Sequence, residues 1–290
     1  MRAIFYILLL SALFACQQTR KESQKTEEKK TEEKLNPSLA IWDGFDFSDT
    51  TMIHRPEVTE RSFSTFLALL LRQEKNEQNE AIAQFMSKTY KASPRMFSHF
   101  CQLAEKYLHD PNSPFRNDDL YIPFLKYMVE IEGGEESDKE RARFQLQMVM
   151  KNRVGDVAEN LHLLTNFGKE SLLHEIESPY LLLFFYNPEC EECRWVKEYI
   201  KGSSEFRQWQ KQGRLRILAV YPDEDMELWQ RHLHDNPKEW ITARLASIED
   251  ADAFYLQAIP TLYLLDSKKR VLLKDVEIED IVSNMINEVR

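Results

Sequence analysis

The feature that most constrains the fold of this chain is a pair of cysteines, Cys190 and Cys193, directly after an apolar run at residues 181–186. A continuous apolar run of this length is typical of a central strand that is covered on both faces. Hydrophobic residues then recur at helical spacing through residues 195–200. The two thiols are therefore expected at the start of a helix that follows a buried strand.

The C-x-x-C spacing alone is shared by zinc sites, haem attachment sites, structural disulfides and redox centres. A zinc site would need two further Cys or His ligands. The sequence offers no second C-x-x-C pair, and we expect His232 and His234 to be exposed helix residues. We therefore expect no metal and no bound cofactor, because exchange between thiols and disulfides proceeds by thiolate attack alone.

A second feature, the dipeptide Ile259-Pro260, precedes another apolar run at residues 262–265. Taken alone, Pro260 would be an ordinary trans proline at a strand edge, since cis bonds are uncommon even before proline. The cysteines upstream change this interpretation. Two thiols at a helix start, faced by a proline turn, indicate disulfide exchange.

The N-terminus has the pattern of a short export signal at residues 1–15, with Arg2 followed by apolar residues 3–14. That apolar stretch is too short to span a bilayer. Residues 13–16, Leu-Phe-Ala-Cys, resemble the bacterial lipobox, which implies cleavage before Cys16 and acylation of its sulfur. We expect an exported protein, lipid-anchored in the cell envelope on the periplasmic face or in the outer membrane. An uncleaved hydrophobic N-terminus and a simple secretory signal are the alternatives.

Residues 16–34 are expected to form a flexible tether. Between residues 20 and 34 there are six basic and five acidic side chains and no aliphatic residue, so this segment cannot bury a core. The chain as a whole is 43% hydrophobic, which suffices for globular cores, and its net charge is -10. An acidic chain of this kind is not expected to bind nucleic acid.

Residues 35–152 are predicted to be a small helical bundle. Hydrophobic residues recur at helical spacing in residues 63–70, 96–108 and 121–128, and a further helix is predicted at residues 138–150. No catalytic pattern is recognisable in this region, which favours a packing or docking module. The aromatic residues of the segment 41–47 are expected to be core anchors, and Cys101 is expected to be a buried, unreactive thiol.

Residues 153–290 alternate between strand and helix patterns, which is typical of an α/β domain. The predicted order is strand, helix, strand, helix, hairpin, helix. Its strands lie at residues 181–186 and 215–221, the hairpin spans residues 260–273, and the closing helix covers residues 278–289. The chain is therefore predicted to contain two domains of different class.

This order, together with Asn-Pro-Glu-Cys-Glu-Glu-Cys at residues 187–193 and Ala-Ile-Pro-Thr at residues 258–261, resembles the thioredoxin superfamily. Residues 154–158, followed by Gly168-Lys169, are similar to the entry hairpin of its TlpA- and ResA-like extracytoplasmic branch. Residues 42–49 and 110–114 resemble Bacteroidetes lipoproteins in which a helical domain of unknown function precedes a thioredoxin domain. The resemblances imply an α+β protein of two domains: an N-terminal small helical bundle, and a C-terminal thioredoxin-like α/β domain with a central mixed sheet flanked by helices.

The two cysteines have separate expected roles. A helix N-terminus stabilises a thiolate, so Cys190 is the candidate for attack, and Cys193 on the same helical face can resolve the mixed disulfide. The resemblance implies a cis bond between Ile259 and Pro260, which packs against the pair and leaves the preceding backbone free to hold a substrate strand. The expected partners are a protein disulfide or dithiol substrate and an upstream redox partner.

The sequence departs from the thioredoxin pattern around these thiols. Glu189 stands where an aromatic residue is frequent, Glu191-Glu192 replace Gly-Pro, and Phe184 replaces a buried Asp. The carboxylates raise the pKa of a nearby thiol and the helix end lowers it. Each effect changes the free energy of the thiolate by about 0.3–1 kcal/mol, so the two are of similar size and the sequence does not fix the direction of electron flow. The resemblance favours a reductase. A redox-silent binding module with a structural Cys190-Cys193 disulfide is the alternative.

Overall fold

The computed structural model describes residues 36–247 and 249–288, beginning with a helical domain. Its five α-helices are α1 (Pro56–Leu70), α2 (Lys75–Ala92), α3 (Pro94–Leu108), α4 (Asp118–Glu130) and α5 (Glu136–Val149). Local sequence sets two of the starts. The Ser93 hydroxyl accepts a hydrogen bond from the backbone N–H of Met96 at 3.3 Å, and the Asn117 side chain accepts one from Leu120 at 2.9 Å, which are N-cap contacts.

Aromatic rings fill the core of the helical domain. Trp42, only 1% exposed, packs against Phe85 with ring centroids 4.8 Å apart and edge-on against Phe100 at 5.3 Å. The segment before α1 thus covers the helices with its aromatic side chains. This confirms that Trp42 and Phe47 are core residues, whereas Phe45 is only partly buried.

The second domain is built on one mixed sheet of seven strands in the order β2-β1-β5-β4-β3-β6-β7. Its strands are β1 (His162–Thr165), β2 (Glu170–Leu172), β3 (Tyr180–Phe185), β4 (Leu215–Tyr221), β5 (Ile241–Leu245), β6 (Thr261–Asp266) and β7 (Val271–Lys274). Central β3 runs parallel to β4 and antiparallel to β6. The described part of the chain therefore has the predicted fold class: a helical bundle followed by a mixed sheet flanked by helices.

Helices cover the sheet and leave its central strand buried. They are α6 (Glu191–Gly202), α7 (Ser204–Lys211), α8 (Met226–Arg231), α9 (Glu249–Phe254) and α10 (Ile278–Glu288). On β3, Leu182 and Phe184 belong to the core beneath α6 and α10, whereas the alternate residues 181, 183 and 185 belong to the core on the other face. Burial on both faces explains why this strand is continuously apolar.

The sequence patterns missed several elements. Helix α2 carries charged or amide residues over most of its surface, and only Ala81, Ile82, Phe85, Met86 and Thr89 are buried. Strand β5 has the mixed sequence Ile-Thr-Ala-Arg-Leu and is defined by its pairing with β4 and β1. Histidines 232 and 234 lie in the turn after α8, not in the helix itself.

No helix within residues 36–247 and 249–288 combines the length and the apolarity needed to cross a bilayer. The leader at residues 1–15, the lipidation candidate Cys16 and the tether up to residue 34 lie outside the described residues.

Candidate active site

A short connection between β3 and α6 carries the first cysteine. The Asn187 side chain accepts a hydrogen bond from the backbone N–H of Glu189 at 2.9 Å, and its backbone oxygen accepts one from Cys190 at 3.1 Å. The same side chain donates to a carboxylate oxygen of Asp223 at 2.8 Å, which ties the connection to the loop after β4. Cys190 therefore occupies a fixed position at the N-cap of α6.

The two cysteines form a disulfide, with their Cα atoms 5.2 Å apart. They differ in exposure: Cys193 is 2% exposed, whereas Cys190 is only partly buried. The sulfur of Cys190 also accepts a hydrogen bond from the backbone N–H of Cys193 at 3.1 Å. Such N–H groups at a helix start carry partial positive charge and favour a thiolate. An external reagent can reach Cys190 but not Cys193 without rearrangement.

The proline turn lies beside the exposed sulfur. Because β6 pairs with β3 and Thr261 stands opposite Phe185, the start of β6 lies at the end of β3 that leads to Cys190. The Ile259-Pro260 bond is cis, as the resemblance implied, and the Ile259 carbonyl oxygen lies 3.7 Å from the Cys190 sulfur. The structure thus brings all four predicted site residues of this domain together.

A groove of about 470 Å³ borders this turn. One wall is the loop after β4, and the other is the segment that precedes the cis-proline; the lining residues are Pro222, Asp223, Glu224, Ala251, Leu256, Gln257, Ala258 and Ile259. A groove next to a reachable sulfur can hold an extended peptide by its backbone.

Comparison with solved structures identifies the family. A crystal structure of a thioredoxin-like protein from Bacteroides caccae is 36% identical to this chain, with a TM-score of 0.81, and the match covers 86% of this chain and 92% of that protein. The chain belongs to this family of thioredoxin-like proteins. A family model described as thioredoxin-like matches residues 178–271, and a model described as a domain of unknown function, DUF5106, matches residues 40–152.

Two further solved structures each match about half of this thioredoxin-like protein. The C-terminal domain of an uncharacterized protein from Bacteroides fragilis is 34% identical over 47% of this chain and 98% of its own, with a TM-score of 0.45. The thioredoxin domain of a thiol-disulfide oxidoreductase from Bacteroides vulgatus is 19% identical over 48% of this chain and 99% of its own, with a TM-score of 0.42. No curated protein matches the chain.

Acidic side chains surround the exposed sulfur of this thioredoxin-like protein. A carboxylate oxygen of Glu192 lies 3.8 Å from the Cys190 sulfur, and Glu189 and Glu191 are exposed on either side. Asp223 and Glu224 add two more exposed carboxylates on the groove wall. These charges oppose the effect of the helix end on the thiol.

Beneath the cysteines, aromatic residues occupy the position where the thioredoxin pattern has a buried Asp. Phe184 is fully buried and packs against Tyr186 with ring centroids 5.5 Å apart. Burial raises the pKa of Tyr186 to about 12, so its hydroxyl stays protonated, and it accepts a hydrogen bond from Asn236 at 2.9 Å. Lys197, one helical turn after Cys193, is the buried basic group on this face of α6, and burial lowers its pKa. Sequence analysis did not single out these polar groups, and only the i, i+4 spacing of Cys193 and Lys197 could have indicated one of them.

The other candidate groups lie away from this site. His232 contacts Asp235 at 2.7 Å, while His162 and His174 are exposed. Within the described residues, no three His, Cys, Asp or Glu side chains are placed to hold a metal ion. Cys101 is buried in the helical domain, and burial raises the pKa of its thiol. A protonated, buried thiol is a poor nucleophile, in agreement with its predicted inert role.

Proposed function

We propose that this thioredoxin-like protein is an extracytoplasmic, lipid-anchored thiol-disulfide oxidoreductase that reduces protein disulfides. One observation carries the proposal: a partly exposed Cys190 sulfur at a helix start lies beside both a buried Cys193 and the Ile259 carbonyl oxygen, which borders a groove. A disulfide that served only as a structural staple would need neither the reachable sulfur nor the groove.

The proposed reaction begins from the dithiol. The Cys190 thiolate attacks one sulfur of a substrate disulfide and forms a mixed disulfide, while the other substrate sulfur leaves as a thiolate and takes up a proton. Cys193 then loses its proton and attacks the Cys190 sulfur. The second substrate sulfur leaves as a thiolate, and the Cys190-Cys193 disulfide remains. Two electrons and two protons from an upstream dithiol protein restore the starting state.

The groove supplies the binding side of the proposal. An extended substrate segment next to Ile259 can form backbone hydrogen bonds, as an added strand does at a sheet edge. Pro260 shapes the turn that leaves this backbone accessible. The surrounding carboxylates of Glu189, Glu192 and Glu224 favour substrates with Lys or Arg near the reactive cysteine.

The direction of transfer is part of the proposal and follows from the family resemblance. The same dithiol would serve as an oxidant if its reduced form were strongly stabilised. The helix start stabilises the Cys190 thiolate, whereas Glu192 at 3.8 Å destabilises it. These two effects are of similar size, so the assignment as a reductase rests on the family resemblance.

Localisation is proposed from the sequence. Residues 1–15 would direct export and Cys16 would carry the lipid, with residues 16–34 as the tether. Mass spectrometry of the N-terminal peptide from a bacterial host is expected to find an acylated Cys16. An unmodified N-terminus at residue 1, or cleavage at another site, would contradict the anchor without affecting the dithiol chemistry.

Insulin reduction by the soluble fragment 35–290 tests the activity. We expect the wild-type fragment to reduce insulin with dithiothreitol as the electron donor, and both Cys190→Ser and Cys193→Ser to fail. Cys101→Ser is the matched control, since its buried thiol is away from the site, and it should keep wild-type activity. Equal inactivity of the wild type and both site variants would favour the redox-silent binding module instead.

Trapping tests the roles of the two thiols and identifies the partners. In Cys193→Ser the mixed disulfide cannot be resolved, so the variant should retain substrate proteins through Cys190 until a reductant is added. Cys190→Ser should retain none, because Cys193 is 2% exposed. Trapping through Cys193 alone would reverse the assigned roles.

A further inference from the structure

The helical domain contacts the segment that leads to the cis-proline in two places. The first is the end of α9. The Lys151 side chain donates a hydrogen bond to the backbone oxygen of Asp252 at 2.5 Å, and the Asn152 amide donates to that of Ala253 at 2.8 Å. The last carbonyls of a helix lack partners within the helix itself. Two residues at the end of the helical domain, directly after α5, satisfy them, so the end of α9 is fixed to that domain.

A second contact lies closer to the groove. His109, which follows α3 and is 6% exposed, stacks on Tyr255 with an angle of 14° between the rings, and its Nε2 lies 3.3 Å from the tyrosine hydroxyl. The Gln257 amide nitrogen lies 2.7 Å from the same Nε2. The imidazole also stacks on Tyr121 of α4, with ring centroids 5.0 Å apart. One buried histidine therefore joins the helical core to the groove wall.

The partners of Gln257 fix the orientation of its amide group. Arg116 lies 3.4 Å from the amide oxygen of Gln257, and a guanidinium can only donate. The amide nitrogen of Gln257 therefore faces His109, 2.7 Å from Nε2 and 3.5 Å from Nδ1. On its other side, Nδ1 lies 3.9 Å from a carboxylate oxygen of Asp118. The polar contact between the imidazole and Gln257 is the specific feature that a substitution can remove.

We propose that the helical domain positions the substrate groove of the dithiol site, with His109 as the positioning residue that holds Gln257. This inference rests on the proposed function, because the groove matters only if a substrate occupies it. Gln257 lines the groove and stands two residues before Ile259, whose carbonyl oxygen lies 3.7 Å from the Cys190 sulfur. The helical domain thereby gains a role in substrate binding without touching the sulfurs.

Positioning predicts a selective kinetic effect. A protein disulfide must lie along the wall formed by residues 256–259 before Cys190 attacks it. A small aromatic disulfide such as Ellman's reagent needs only the exposed sulfur. Loosening the wall should therefore raise KM for a protein substrate, while kcat and the rate of reaction with the small disulfide stay the same.

Two substitutions of similar size in the full-length protein separate the polar contact with Gln257 from packing alone. His109→Leu removes the ring nitrogens that contact the Gln257 amide, whereas His109→Gln retains a polar amide group at about that position. Arg143→Ala, which removes an exposed ion pair with Glu136 on α5, is the control. For each protein we would measure kcat and KM for insulin reduction, the rate with Ellman's reagent, and hydrogen exchange of the amides in residues 255–259.

We expect His109→Leu to raise KM about fivefold, the factor that one hydrogen bond provides, and to accelerate exchange in residues 255–259. His109→Gln should restore most of both properties, and Arg143→Ala should match the wild type. Unchanged exchange in His109→Leu would overturn the proposal, as would faster exchange with an unchanged KM. If the wild type reduces no insulin, the proposed function fails and positioning for catalysis fails with it. The exchange data then still show whether His109 holds the wall.

Discussion

Asp118 offers a quantitative test of the interface between the two domains. It starts α4 and lies 2.8 Å from the Lys274 ammonium on β7, with both side chains largely buried at 22% and 15% exposure. Burial alone would raise the pKa of Asp118, but His109, Lys274 and Arg116 more than offset it and lower the pKa from 3.8 to about 2. The carboxylate is therefore more stable in the folded protein than in the unfolded chain.

The lowered pKa gives both the size and the pH dependence of the contribution. A carboxyl with a pKa of 3.8 when unfolded and about 2 when folded contributes roughly 2 kcal/mol to stability at neutral pH. Because the folded pKa is the lower one, the contribution is fully present above about pH 5 and is lost as the pH falls through 4 towards 2. Asp118→Asn removes it and leaves Lys274 without its charged partner.

Urea unfolding of the fragment 35–290 at several pH values measures this effect. We expect Asp118→Asn to lower the free energy of unfolding by about 2 kcal/mol at pH 7, and the difference from the wild type to shrink steadily below pH 4. Glu136→Gln removes a charge from an exposed pair on α5 and is the control, with little expected effect. A destabilisation by Asp118→Asn that is the same at pH 3 and pH 7 would refute the electrostatic explanation.

Three further predictions concern the dithiol and the cores. Glu192→Gln should lower the pKa of the reduced Cys190 thiol and speed its alkylation at pH 6.5 about two- to fivefold, since one nearby charge contributes about 0.3–1 kcal/mol. An unchanged rate of alkylation would mean that Glu192 does not act on the sulfur. Cys101 should resist iodoacetamide in native protein and react only after denaturation, as mass spectrometry can show; rapid native labelling would contradict its burial. Trp42→Ala should cost about 3–5 kcal/mol in urea unfolding, because it removes a ring at the centre of the helical core, and a cost below 1 kcal/mol would be inconsistent with this packing.

The dithiol site was accessible to sequence analysis because its determinants are local or strongly patterned. The apolar run of β3 follows from burial on both faces, and the cysteines stand directly after it, at the helix start. The Ile259-Pro260 turn is far away in sequence, but β6 brings it to the end of β3. Only the family resemblance linked the two motifs, since a proline alone does not indicate a cis bond.

The missed elements lack such patterns. Helix α2 is identified by a narrow buried stripe within a polar sequence, and β5 by its neighbours in the sheet rather than by its own composition. The contact between His109 and Gln257 spans 148 residues and depends on how two domains dock. Neither residue carries a motif, so sequence analysis placed no function on them.

The equilibrium of the Cys190-Cys193 disulfide with a glutathione redox buffer tests the central claim most directly. The account predicts a midpoint between about -200 and -270 mV, the range of reducing dithiols such as glutaredoxins and thioredoxin, with glutathione found on Cys190 in the mixed disulfide. A disulfide that stays oxidised below about -300 mV, or a mixed disulfide on Cys193, would contradict it.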